Sequence, residues 1–102
     1  MNLESITMQN IIKSIKEKKG TLLDVRSKME FDENHIAGAI NIPLDMVEVN
    51  IKNIETMPKP IVVYCFSGGR SGIATDILQQ NGIADVYNGG GILSLNNFIN
   101  NN

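Results

Sequence analysis

The sequence predicts an α/β fold with a mainly parallel sheet, and three observations carry this prediction. Short apolar segments suited to β-strands alternate along the chain with segments whose apolar residues recur at helical spacing. Residues 61–64 place four apolar β-formers in a row, which is typical of a strand buried on both faces of a parallel sheet. The 102 residues, 42% hydrophobic and 20% charged, fit one globular domain over residues 1–102.

The first segment of the chain predicts a helix followed by a buried strand. The helix is expected over residues 8–19, because its apolar residues lie on one face, with Thr7 as N-cap and Gly20 as the stop. Its lysines are interpreted as a solvated face, and an anionic partner is the alternative. Residues 21–25 are short, apolar and compatible with a strand buried in the core.

Weaker signals occupy the stretch before the central strand. Residues 30–33 are acidic and predict a single helical turn, and residues 39–42 predict a second strand that Pro43 ends. Residues 45–54 carry a faint helical pattern. This stretch therefore predicts a short parallel strand between two short helical pieces.

The second half of the chain repeats the alternation of strand and helix. The predicted elements are a strand at 61–64, a loop at 67–69, a helix from Ser71 to about 81 stopped by Gly82, a short strand at 85–87, a glycine turn at 89–91 and a helix at 92–99. Right-handed crossovers are expected between the parallel strands.

Composition excludes several classes of function. The single cysteine excludes an internal disulfide and a Cys₄ or Cys₂His₂ zinc site, and the single histidine excludes a histidine-rich metal centre. A net charge of −2 and a pI near 5.2 argue against nucleic-acid and anionic-membrane partners. The sequence has no secretory signal and no apolar run near the ~18 residues of a membrane span, so we expect a reducing cytoplasm.

Residues 65–71 are the segment that points to chemistry. Cys65 follows the central strand, at the carboxyl edge where parallel sheets place their sites, and a glycine loop and a helix come next. Backbone N–H groups of the loop, the helix N-terminus and the charge of Arg70 would all favour a thiolate. An ordinary cysteine, with a pKa of ~8.5, is about 3% thiolate at pH 7. The loop therefore predicts a nucleophilic sulfur, and an inert buried cysteine is the alternative.

Spacing separates this loop from other known motifs. It lacks the Gly-Lys-Ser/Thr of a phosphate-binding Walker loop and the Gly-x-Gly-x-x-Gly of dinucleotide sites, and a Cys-x-x-Cys pair is impossible. Cysteine-dependent phosphatases place five residues between cysteine and arginine, whereas four lie between Cys65 and Arg70. The shorter loop should enclose one extra sulfur atom more closely than a phosphoryl group.

Three segments together identify a family. Residues 22–26 (Leu-Leu-Asp-Val-Arg), 35–43 (His-Ile-Ala-Gly-Ala-Ile-Asn-Ile-Pro) and 63–71 (Val-Tyr-Cys-Phe-Ser-Gly-Gly-Arg-Ser) occur in this order. With them the sequence resembles the rhodanese-like sulfurtransferase domain in its single-domain form. The resemblance extends over a core of about residues 6–99.

The resemblance implies a fold and a reaction. The fold is a five-stranded, mainly parallel sheet with helices on both faces. Cys65 would take sulfur from thiosulfate or a persulfide donor and pass it to cyanide, a thiol or a protein acceptor, without metal or cofactor. The loop that binds the substrate and stabilises the persulfide comprises Phe66, Ser67, Gly68, Gly69, Arg70 and Ser71.

The resemblance also assigns supporting roles. Asp24 and Arg26 would brace the site, with Arg26 paired to Glu30. Arg70 either binds an anionic donor or braces the loop, and the sequence leaves both open. His35, the single histidine of the chain, is expected in a structural turn rather than as a general base.

Three positions depart from the usual family pattern. Asn34 replaces a glycine and is expected to adopt the same left-handed backbone, and Ala37 replaces a proline. Leu95 is expected to fill the core space of a missing tryptophan.

Two alternative functions remain at this stage: a non-catalytic module that binds a protein or senses sulfur or redox state, and a relative of phosphatases or arsenate reductases.

Overall fold

The computed structural model describes residues 3–101, with side chains from residue 8 onward. In chain order, the elements are α1 (Leu3–Lys16), β1 (Thr21–Asp24), α2 (Lys28–Glu33), β2 (Ile40–Asn41), 3₁₀ turns at Leu44–Met46 and Glu48–Asn50, α3 (Ile51–Glu55), β3 (Ile61–Cys65), α4 (Gly69–Gln80), β4 (Val86–Gly91) and α5 (Ile92–Asn100). Within residues 3–101, no helix combines the length and the apolar character that crossing a membrane requires.

The strands form one parallel sheet in the order β2-β1-β3-β4. The α/β class and the parallel sheet are confirmed, but the described part of the chain contains four strands, not the five that the resemblance implied. The segment ahead of β1 is helical, and the segment between β2 and β3 forms 3₁₀ turns and α3. No described segment is left to supply a fifth strand.

Alternate residues of β3 face opposite sides of the sheet, as the period of two in a strand requires. Ile61, Val63 and Cys65 pack into one core cluster, whose other members come partly from α3 and α4. Val62 and Tyr64 pack into a second cluster with α1 and α5. The expectation of helices on both faces is therefore confirmed.

The boundaries of α1 differ from the prediction at both ends. The helix begins at Leu3, so Thr7 lies within it and is not the N-cap. It ends at Lys16, because Lys18 adopts the left-handed backbone (φ 61°) and Lys19 N–H donates to the Ser14 carbonyl, which closes the last turn. Gly20 meets a packing constraint instead, since a Cβ there would lie 2.5 Å from the Pro60 carbonyl oxygen.

The glycines at 89–91 are also placed differently from the prediction. They form the end of β4, which pairs with β3 as far as Cys65, rather than a turn after a short strand. The prediction took a glycine run as a sign of backbone freedom. Gly89 and Gly91 let strand β4 approach its neighbours closely, whereas Gly90 does use that freedom, with φ 82° at an irregularity in the register with β3. Leu95, by contrast, is buried in the second core cluster, as expected for the missing tryptophan.

The hydroxyl of Tyr64 gives a testable contribution to stability. Tyr64 is fully buried, and its oxygen accepts the Ile36 N–H at 3.1 Å. Tyr64→Phe leaves that N–H without a partner, so we expect a loss of about 1–3 kcal/mol in the free energy of unfolding, measured by urea denaturation. The control is Tyr87→Phe, which removes a hydroxyl that donates to Asp85 at the surface. Equal stability of both variants would contradict this account.

Candidate active site

Cys65 is the last residue of β3, and its sulfur is enclosed by the turn that leads into α4. The residue is only 1% exposed. Its Sγ accepts the N–H of Gly68 at 3.0 Å and the N–H of Ser71 at 3.4 Å. The hydroxyl of Ser71 also lies 3.4 Å from Sγ. Polar hydrogens therefore converge on a sulfur atom that solvent barely reaches.

The left-handed backbone of Gly68 turns this segment back toward the sulfur. Gly68 has φ 102° and is the N-cap of α4, a conformation that L side chains rarely adopt. Gly69 is the first residue of α4 and has open space around it. Of these two glycines, Gly68 therefore has the left-handed backbone and Gly69 does not.

Strand β4 supports the same turn from the other side. A Cβ at Gly91 would lie 2.6 Å from the Phe66 carbonyl oxygen and 3.3 Å from the Ser67 Cα. Real Cβ contacts are not this short, so a glycine is needed for β4 to lie against the loop. The loop is therefore held between its own strand and the glycine end of the neighbouring strand.

The pKa of the Cys65 thiol is lowered from its usual value, as the net result of two opposing effects. Burial raises the pKa, because a charged sulfur loses hydration. Hydrogen bonds from the Ser71 hydroxyl and from the N–H groups of Ser71, Gly68 and Ser67 lower it and together outweigh burial. The surroundings thus favour a thiolate, the nucleophilic form of cysteine.

Ser71 connects the sulfur to a residue that the sequence analysis missed. Its hydroxyl lies 2.7 Å from Oδ1 of Asn88 on β4, which also accepts the N–H of Gly90 at 2.9 Å. Nothing in the local sequence marks Asn88. Its position follows from the sheet, where Asn88 lies opposite Val63 of β3, two residues before the cysteine.

Arg70 forms an ion pair that the sequence analysis assigned to another arginine. Its Nη1 and Nη2 donate to the two carboxylate oxygens of Glu30, at 2.7 and 3.0 Å. Glu30 also closes a capping box with Ser27 at the start of α2. The expected Arg26–Glu30 pair does not form, because Glu30 is already held by Arg70 and Ser27.

The pairing keeps Glu30 charged over a wide pH range. The hydrogen bond from Arg70 is the main cause that lowers the pKa of Glu30 to about 2, with Ser27 contributing. Because an unfolded glutamate titrates near ~4.3, the stabilisation is complete above that pH and is lost as the pH falls toward 2. The same contact raises the pKa of Arg70.

Asp24 and Arg26 form a buried ion pair at the end of β1. The guanidinium of Arg26, only 3% exposed, donates to both Asp24 oxygens, and its Nη2 also donates to the Asn34 carbonyl at 2.6 Å. The hydrogen bond to Asp24 is the main cause that raises the pKa of Arg26. Neither residue contributes a hydrogen bond to Sγ, so their contacts tie β1 to the turn before β2.

His35 and Asn34 belong to that turn. The exposed His35 ring stacks on Phe31, with centroids 3.7 Å apart, and its Nδ1 lies 2.8 Å from the Phe31 carbonyl oxygen. This agrees with the structural role expected for His35. Asn34 has an extended backbone (φ −169°), so the expected left-handed conformation is wrong there, and Gly38 has the positive φ instead.

Comparison with known proteins adds independent information. A model of the Rhodanese-like domain family matches residues 7–94, which contain the whole sheet and the cysteine loop. The uncharacterised protein YqhL of Bacillus subtilis is 38% identical over 90 residues, covering 81% of this chain and 71% of that protein. Thiosulfate sulfurtransferase PspE of Escherichia coli is 38% identical over 71 residues, covering 69% of this chain and 68% of that protein.

The similarity extends to solved structures. A rhodanese-related protein from Thermoplasma volcanium superimposes with a TM-score of 0.70 at 36% identity, over 83% of this chain and 82% of that one. The human single-domain sulfurtransferase TSTD1 gives a TM-score of 0.70 over 93% of this chain and 91% of that one, at 23% identity. At that identity, the second likeness is evidence of the fold alone.

Two adjacent glycines give a sharp test of the loop geometry. In Gly68→Ala the side chain strains a backbone with φ 102° and displaces the N–H that lies 3.0 Å from Sγ. We expect the pH midpoint of Cys65 alkylation to rise by about one unit. Gly69→Ala adds a methyl group to open space in a helix and should leave the midpoint unchanged. A similar response of the two variants would show that the turn does not depend on Gly68.

Proposed function

The chain belongs to the rhodanese-like domain family, whose relatives described above include sulfurtransferases, and we propose that it moves sulfane sulfur through a persulfide on Cys65. The observation that carries this proposal is the convergence of the Gly68 and Ser71 N–H groups and the Ser71 hydroxyl on one sulfur. Such an arrangement stabilises negative charge where the reaction creates it.

The proposed reaction has two displacement steps. In the first, the Cys65 thiolate attacks the outer sulfur of a donor such as thiosulfate. A sulfur–sulfur bond forms to Cys65 while the donor's own sulfur–sulfur bond breaks, and sulfite leaves with the electron pair. In the second, a thiol, a protein thiol or cyanide attacks the outer sulfur and regenerates the Cys65 thiolate. Ping-pong kinetics should follow.

The proposed roles of the loop residues follow from their places around the sulfur. The N–H groups of Ser67, Gly68 and Ser71 lower the pKa of Cys65 and would stabilise the thiolate at the start and the end of each cycle. Gly69 starts α4. The side chain of Phe66, which directly follows the cysteine, is 61% exposed and offers an apolar contact to an approaching acceptor.

For Arg70 we propose the bracing role. Both of its terminal nitrogens are engaged by Glu30, so the guanidinium fixes α4 relative to α2. Its charge still lies close enough to Cys65 to favour the thiolate. Asp24 and Arg26 are proposed as supports of the same edge of the sheet.

We further propose a cytoplasmic setting, where a reducing environment keeps the Cys65 thiol available to a small-molecule donor. No nucleic-acid or membrane partner is part of the proposal, in keeping with the net charge of −2.

Mass spectrometry of Cys65 tests the sulfur-carrier proposal. Incubation with thiosulfate should add about 32 Da to the protein, the mass of one sulfur bound as a persulfide. The matched variant Cys65→Ser should gain no mass and should lose cyanide-dependent sulfite release. The proposal fails if no donor among thiosulfate and organic persulfides adds sulfur to Cys65. An alkylation midpoint near ~8.5 would then favour a non-catalytic module.

Glu30→Gln tests the role of Arg70. If Arg70 braces the loop, weakening its ion pair should lower kcat/KM several-fold for the dianion thiosulfate and equally for an organic persulfide, which carries less negative charge. Asp32→Asn is the control, because Asp32 pairs with Lys28 at the exposed face of the same helix. A rise in kcat/KM for thiosulfate alone would instead mean that the released arginine binds the anionic donor.

A further inference from the structure

The hydroxyl of Ser71 has one hydrogen and three groups that compete for it. The Gly68 carbonyl oxygen lies 3.1 Å away, the Asn88 Oδ1 lies 2.7 Å away and the Cys65 Sγ lies 3.4 Å away. Ser71 is fully buried, so solvent does not supply a fourth partner. Which group accepts the hydrogen must therefore depend on the charge of the sulfur.

With a neutral thiol, every hydrogen in this cluster has a place. The thiol hydrogen of Cys65 points to the Ser71 oxygen, and the Ser71 hydrogen points to Asn88 Oδ1, the nearest acceptor. The Gly68 carbonyl is already satisfied by the Gly72 N–H at 3.0 Å. In this arrangement Ser71 accepts a hydrogen bond from Cys65 and gives none to it.

With a thiolate, the direction must reverse. A thiolate sulfur donates nothing and gains from each hydrogen that faces it, so the Ser71 hydroxyl turns from Asn88 toward Sγ. The hydrogen bond to Asn88 is lost in that rotation. Asn88 thus competes with the ionised sulfur for the same hydrogen.

We propose that Asn88 is a positioning residue that sets the balance between the thiol and the thiolate of Cys65, by holding the Ser71 hydroxyl away from the sulfur until charge forms there. Asn88 makes no hydrogen bond to the sulfur, and its Oδ1 acts on the sulfur through Ser71. Its Nδ2 also donates to the Gly68 carbonyl at 3.5 Å, a direct contact with the turn. Its own position is fixed by the Gly90 N–H, which donates to Oδ1 at 2.9 Å.

This role rests on the proposed function and concerns chiefly the step that discharges the persulfide. When a thiolate acceptor attacks the outer sulfur, a new sulfur–sulfur bond forms to the acceptor. The bond between Sγ and the outer sulfur breaks, and its electron pair stays on Sγ. The Ser71 hydroxyl then turns to the new thiolate. A weaker hold by Asn88 makes Cys65 a better leaving group but a weaker nucleophile, because both properties follow its pKa.

The charged groups near this cluster do not titrate with the sulfur. Arg70 on α4 and Arg26 after β1 have raised pKa values, and the pKa of Glu30 on α2 is lowered to about 2. Arg26 is ion-paired with Asp24 inside the protein. A change in the rate of thiol alkylation between about pH 6 and 10 therefore reports the ionisation of Cys65 itself.

A purely structural role for Asn88 predicts the opposite sign. If Asn88 only held the loop in shape, its loss would loosen the turn at Gly68 and move N–H groups away from the sulfur. The pKa of Cys65 would then rise. Competition for the Ser71 hydrogen predicts that the pKa falls when the Asn88 oxygen is removed.

The experiment measures the pH profile of iodoacetamide alkylation of Cys65, which needs no sulfur transfer and so is independent of the proposed reaction. Asn88→Leu keeps a similar shape and has no acceptor, and Ser71 is fully buried. We expect its midpoint to fall by about half a unit to one unit, since the thiolate gains the hydroxyl without competition. Asn88→Asp, a stronger acceptor, should raise the midpoint.

Two further measurements complete the test. In a Ser71→Ala background, Asn88→Leu should no longer shift the midpoint, because the connecting hydroxyl is absent. Discharge of the preloaded persulfide to a thiol should become about two- to threefold faster in Asn88→Leu, as expected for a leaving thiol of lower pKa. Asn53→Ala, an exposed asparagine on α3, is the control and should change neither quantity.

The outcomes separate clearly. An unchanged or raised midpoint in Asn88→Leu overturns the proposal, and so does a shift that persists without the Ser71 hydroxyl. If the midpoints behave as expected but no persulfide forms on Cys65 in any variant, the proposed function fails while the role of Asn88 in setting thiol ionisation stands.

Discussion

The left-handed turn at Gly68 is the constraint on which the sulfur site depends. The sulfur of Cys65, a residue that is 1% exposed, tolerates negative charge only if the protein replaces the lost hydration, and here backbone N–H groups do so. Those groups face Sγ because the chain reverses at Gly68 and enters α4 directly. Gly91 makes the reversal possible from the neighbouring strand, since any side chain there would collide with the Phe66 carbonyl.

Two ion pairs hold the parts around this turn, and they differ in kind. Asp24 and Arg26 are buried, so nearly all of their hydrogen-bonding groups need partners to offset the cost of desolvation. The Asn34 carbonyl accepts one of the guanidinium hydrogens that Asp24 leaves. Glu30 and Arg70 are partly exposed and join two helices that are distant in sequence. The first pair fixes the end of β1, and the second fixes the start of α4 relative to α2.

The sequence allowed prediction of the features that local patterns determine. Four apolar β-formers identified β3, and a cysteine followed by glycines and a helix identified the loop, because strand periodicity and glycine conformations act within a few residues. Features that depend on the approach of distant segments were missed or misplaced. Glu30 was expected to pair with the nearby Arg26, which is engaged by Asp24, and it pairs instead with Arg70, which is distant in sequence.

The glycines of β4 show the same limit from another direction. In the sequence a run of three glycines signals a turn. At Gly89 and Gly91, however, glycine is needed because Val62, Leu95 and the Phe66 carbonyl leave no space for a side chain. Asn88 carries no local signal at all, and only the register between β3 and β4 brings it to Ser71. Gly20 was expected to stop α1, but the last turn closes earlier, at Lys18, which adopts the left-handed backbone.

The carboxylate of Glu30 has a consequence for cooperativity. Its Oε1 accepts hydrogen bonds from the Ser27 backbone and from Arg70, so one group both caps α2 and anchors α4. A helix of six residues is too short to persist by itself in water. Unwinding of α2 therefore also displaces the carboxylate that holds Arg70, so we expect the start of α4 to lose this restraint in the same local opening.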